Sequence, residues 1–68
     1  MARHTFTDRS GRTWATNSAR PYFVRCGRSR SFGSLPAARA YAHSGVGTYS
    51  IFFDYAPGEG VFIEGGRS

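Results

Sequence analysis

The sequence predicts an α+β fold: an antiparallel β-sheet with one α-helix packed on one face, in the order β-β-β-β-α-β-β. Three observations carry this. TYSIFFDY, residues 48–55, alternates with period two, the signature of a strand. SLPAARAYA, residues 34–42, opens with a capping Ser, has Pro in its first turn, and spaces Leu35, Ala38, Tyr41 and Ala42 as one helical stripe. Clusters of Asp, Ser, Gly and Pro cut the rest into short segments of strand length.

The first hairpin is HTFT, a turn at Asp8-Arg9-Ser10-Gly11, then RTWAT. Asn17–Pro21 is a loop, because Pro begins a strand but does not sit inside a central one. Tyr22–Cys26 is the third strand, with Tyr22, Val24 and Cys26 on one side and Phe23 and Arg25 on the other. Gly27-Arg28 reads as a two-residue type II′ turn, and Ser29–Phe32 returns as the fourth strand. The helix follows, with Arg39 and His43 on its wet side and Gly45 as a left-handed cap. Thr48–Tyr55 is the fifth strand, Ala56–Gly60 a turn, and Val61–Glu64 the sixth strand. Residues 1–3 and 65–68 are expected to be frayed ends of a single domain, 1–68.

A chain of 68 residues has room for one small core. Such a core supplies only ~3–5 kcal/mol without staples. Cys26 is the one cysteine, so no internal disulfide forms. Cys26, His4 and His43 fall into no zinc-ligand spacing, and no metal or other cofactor is expected. The eleven aromatic residues must supply the packing, alone or with the help of a homodimer. Apolar runs such as Ile51-Phe52-Phe53 fall far short of the ~20 residues that span a membrane. MARHTFTD lacks the apolar stretch of a signal peptide, so the cytoplasm is the expected location.

The net charge is +5, and every basic residue is Arg. Residues 1–43 hold eight arginines against Asp8, a charge of +7; residues 44–68 hold Arg67 against Asp54, Glu59 and Glu64, a charge of −2. This asymmetry points to a basic face turned toward an anionic partner in the first half of the chain, and sets Arg67 apart from it.

No catalytic set emerges. Cys26 shares its strand side with Tyr22 and Val24 and reads as a small buried hydrophobe. The acids form no spaced dyad; Asp54 and Glu64 fall where they can face each other across the last hairpin. Gly45-Val46-Gly47 follows a helix and opens none, so it is no phosphate cradle. The basic and aromatic set remains: Arg12, Phe23, Arg25, Arg28, Arg30 and Arg39. Arginine forks suit phosphates and guanine edges, and an aromatic face stacks on bases. Phe23 is either part of that surface or covered by the first hairpin. The expected activity is therefore binding, with nucleic acid or a nucleoprotein as partner.

Residues 22–42, YFVRCGRSRSFGSLPAARAYA, resemble the core of integrase-arm and AP2-like DNA-binding domains. The resemblance rests on Tyr22, Val24, Arg25, Gly27, Arg28, Arg30, Phe32, Ser34, Ala38 and Tyr41. It implies a three-stranded sheet lying in the DNA major groove, braced by the helix. By size and type the chain is also similar to small phage accessory proteins such as anti-CRISPR inhibitors. That likeness implies contact with a host protein complex through the aromatic C-terminal hairpin, at Phe52, Phe62 and Tyr55. Alternation turns Phe52 away from the helix, with Phe62 beside it if Val61 and Ile63 point inward. Either the first hairpin folds over them with Phe6 or Trp14, or they form a contact surface.

Overall fold

The computed structural model describes residues 2–67 as an α+β fold with the expected order of elements. These are β1 (His4–Thr7), β2 (Thr13–Thr16), β3 (Tyr22–Arg25), β4 (Arg30–Phe32), α1 (Leu35–Ser44), β5 (Thr48–Ala56) and β6 (Glu59–Arg67). The strands form two antiparallel sheets, β1-β2 and β4-β3-β5-β6. The expected fraying of Met1 and Ser68 lies outside the described residues. Arg3 donates its N–H to the Thr16 carbonyl, and Gly65, Gly66 and Arg67 are paired in β6 with Ser50, Tyr49 and Thr48.

The helix begins as its sequence dictates. The Ser34 hydroxyl accepts from the Ala37 N–H at 3.4 Å, and Pro36 stands in the first turn. Ala38 and Ala42 are buried against Val24 and Ile51, with Leu35 and Tyr41 packed around them. Two turns differ from expectation. Gly45 has extended backbone (φ −85°), and the left-handed residue is Gly47, so the reversal follows the helix end by three residues. Strands β3 and β4 are joined by four residues, 26–29, with Gly27 at no positive φ, so the turn is not type II′.

The helix is ten residues long, about 15 Å, whereas β5 has nine residues and runs about 30 Å. One helix of this length covers half of the strand. Tyr49 and Ile51 meet the helix-side core. Phe53 and Tyr55, on the same side of β5, are covered instead by the β1-β2 hairpin. Phe6 stacks on Phe53 (5.8 Å between ring centroids), Trp14 tilts over Tyr55 (4.5 Å), and His4 meets Tyr22 edge-on (6.0 Å). Helix and hairpin lie side by side over one face of the larger sheet, and Phe53 is fully buried between layers.

Strand β6 carries a bulge. Ser50 pairs with Gly65 and Ile51 with Glu64, but Phe52 pairs with Phe62, so Ile63 is the extra residue. Ile63 packs into the core, and Glu64 reaches the helix, where its Oε1 accepts from Arg39 Nε at 2.6 Å. Both residues thus turn toward the helix side. Asp54 and Glu64, which fall across the last hairpin in sequence, stand on opposite faces. No helix of the described residues is long and apolar enough to cross a membrane.

Candidate functional site

Among the described residues, the side of the larger sheet away from helix and hairpin has no second layer. Alternation decides what it displays. On β3, Tyr22 and Val24 belong to the core, so Phe23 and Arg25 point outward. On β5, Ile51 and Phe53 are buried, so Ser50, Phe52 and Asp54 point outward. On β6, Phe62 lies opposite Phe52 and Arg67 opposite Thr48, and directly opposed residues share a face.

Register then assembles a row. Phe52 is the cross-strand partner of Phe23 on one side and of Phe62 on the other, and Ser31 continues the row onto β4. The Phe62 ring meets Phe52 edge-on, with centroids 5.8 Å apart at 73°. Phe23 and Phe52 are half-buried by their neighbours, while Phe62 is 54% exposed. Two glycines leave room for these side chains. A Cβ on Gly65 would stand 3.3 Å from Phe62 Cζ, and one on Gly60 would stand 2.5 Å from Asp54 Oδ1 and 3.4 Å from Phe52 Cβ.

The face is electrically polarised along the strands. Arg25 lies opposite Ser50, and Arg67 projects from β6 at the same end. Asp54 stands past Phe52 at the other end, and burial raises its carboxyl above the ordinary carboxylate range. A shallow recess lies between, lined by Phe23, Arg25 and Phe52, with Asp54, Glu59, Gly58 and Gly60 toward the acidic end.

Of the six residues expected to form the basic surface, two share this face: Phe23 and Arg25. Arg30 is the partner of Val24, which places it on the helix side, with its guanidinium 5.4 Å from the centre of the Phe32 ring. Arg12 lies 4.1 Å over Trp14 on the other hairpin. Arg28 sits in the connection between β3 and β4, where its carbonyl accepts from the Tyr41 hydroxyl and the Cys26 thiol. Arg39 is on the outer surface of the helix, paired with Glu64. The arginines therefore surround the molecule, and a uniformly arginine-rich sheet face is not what the fold builds. Of the aromatic set, Phe52 and Phe62 come together, but Tyr55 turns inward under Trp14. Arg67, set apart by the charge split, stands on this face: its place follows only from pairing through Gly65-Gly66, which reads locally as a tail.

Cys26 packs against the core and donates its thiol to the Arg28 carbonyl at 3.3 Å. His4 and His43 are occupied by separate rings, Tyr22 and Tyr49. Among the described residues no three His, Cys, Asp or Glu side chains gather at one place. No protein-family model, curated protein or solved structure matches the chain.

Proposed function

We propose that this protein is a non-enzymatic, cytoplasmic binding protein whose open sheet face engages nucleic acid or a nucleoprotein complex. The observation that carries the reading is the uncovered Phe23–Phe52–Phe62 row with Arg25 and Arg67 at one end, in a chain of net charge +5. Aromatic faces stack on bases of any identity, and guanidinium forks match phosphate oxygens. Arg12, Arg28, Arg30 and Arg39 lie off the face and add to the long-range field that draws in a polyanion.

A second reading rests on one feature of the same surface. Phe62 is 54% exposed and backed by Phe52, a pair suited to docking on a protein, as an inhibitor of a host complex would dock. Salt separates the two readings. Phosphate contacts weaken steeply as salt rises, and a dry aromatic contact does so far less. A mobility shift against mixed DNA and RNA at low salt is the direct test: retention that fades with salt supports the first reading, and no shift with either overturns it.

A further inference from the structure

We infer that the ligand of the open face is a single-stranded nucleic acid, whose bases stack on Phe23, Phe52 and Phe62 and whose phosphates run along the flank of Arg25 and Arg67. The inference rests on the nucleic-acid reading above and narrows it to one form of strand.

The chemistry of the row decides between strand and duplex. A phenyl ring offers no hydrogen-bond donor or acceptor, so it cannot read base edges in a groove. It offers a flat apolar face, and its match is the flat face of a base. Those faces are hidden inside a duplex and presented only by an unpaired strand. The row lies on β3, β5 and β6 and spans two strand spacings, ~10 Å, room for two or three successive bases.

Charge then sets the course of the strand. It runs across the β-strands, from β3 to β6, because that is the direction of the row. Arg25 lies on β3 and Arg67 on β6, at the same flank, with the Ser50 hydroxyl between them on β5. Asp54 occupies the opposite flank. Phosphates are drawn to the first side and repelled from the second, so one side of the row carries backbone while the rings carry bases. The recess between Phe23 and Phe52, with Arg25 and Asp54 at its ends, is the position for the central base.

The test uses the full chain and a fluorescein-labelled mixed-sequence DNA of about 10 nucleotides, a length within known single-strand site sizes. The same strand is also presented annealed to its complement, and as RNA. The expected result is at least about tenfold tighter binding of the unpaired strand than of the duplex. Phe52→Ala and Phe62→Ala should each weaken it by about tenfold. Phe62→Trp should retain it, and 2-aminopurine placed in the strand should be quenched on binding. Arg25→Ala and Arg67→Ala should each lower the salt slope by about 0.7. Circular dichroism of each variant confirms folding, and the exposed Phe62 gives a variant that does not depend on the core. Equal or tighter binding of the duplex overturns the single-strand inference and leaves nucleic-acid binding standing. No binding of either form overturns both. Self-association abolished by Phe62→Ser, with no nucleic acid bound, assigns the row to a second copy and also overturns both.

Discussion

The indole N–H of Trp14 donates to Asp8 Oδ2 at 2.9 Å, across the turn that joins β1 to β2. The other carboxylate oxygen accepts from the Ser10 hydroxyl (2.6 Å), the Ser10 N–H (2.9 Å) and the Arg12 N–H (3.0 Å). One side chain therefore closes the turn and holds the ring that lies over Tyr55. The hydrogen bonds from Ser10 and Trp14 stabilise the ionised form and lower the Asp8 carboxyl to about 2 from its ordinary 3.8. Because the folded value is depressed, the stabilisation is complete above 3.8 and is lost as pH falls from there through about 2. Asp8→Asn should lower the melting temperature at neutral pH and remove this part of the acid dependence. Thermal melts of both proteins from pH 7 to pH 2 check it.

Asp54 behaves in the opposite sense. Burial lifts its folded-state value, so the protein favours the protonated carboxyl. The advantage is present below 3.8 and lost as pH rises through the raised folded value. Asp54→Asn should therefore raise the melting temperature at neutral pH and leave it nearly unchanged at pH 3. It should also strengthen binding of a single strand, since a negative charge leaves the flank of the row. Paired melts and anisotropy titrations measure the two effects.

Phe53 and Phe62 are chemically identical and should differ sharply. Phe53 is fully buried, with Phe6 stacked on it and Tyr22 edge-on at 5.5 Å. Phe53→Ala should cost about 3–5 kcal/mol, close to the whole stability of a domain this small. Phe62→Ser removes one edge-to-face contact from an exposed ring and should cost no more than about 1.5 kcal/mol. Urea titrations of the two variants should find Phe53→Ala largely unfolded in buffer and Phe62→Ser folded.

The arginines should rank by face and not by position in the chain. Arg25→Ala and Arg67→Ala should weaken nucleic-acid binding most. Arg30→Ala and Arg39→Ala, on the helix side and the outer helix surface, should act only through net charge and vanish at moderate salt. Affinities of the four variants at two salt concentrations give the ranking. Equal losses from all four would point to a diffuse field without a site.

Local patterns in the sequence revealed what is local. Ser34, Pro36 and the Leu35–Ala42 stripe gave the helix, and alternation in β5 sorted Phe52 from Ile51 and Phe53 correctly. Where Phe53 and Tyr55 find their cover was not legible. The helix is too short to reach them, and a segment some forty residues away supplies Phe6 and Trp14 instead. Register was also hidden. Arg30 alternates as any strand residue does, and only pairing with Val24 fixes its side. The bulge at Ile63-Glu64 breaks the period within β6 itself, which sends Glu64 to Arg39 and leaves Arg67 beyond any local rule.

The β1-β2 hairpin belongs to its own sheet and meets the remainder chiefly through rings: His4 on Tyr22, Phe6 on Phe53 and Trp14 on Tyr55. Among the described residues no backbone ladder staples one sheet to the other. An isolated two-stranded hairpin is marginal in water, so once undocked it has little reason to persist. The two sheets should therefore behave as cooperative units of unequal tenacity, the weaker opening first. Amide hydrogens of β1 and β2 will trade for deuterium well before those of Val24 and Ile51, and each opening briefly bares Phe53 to solvent.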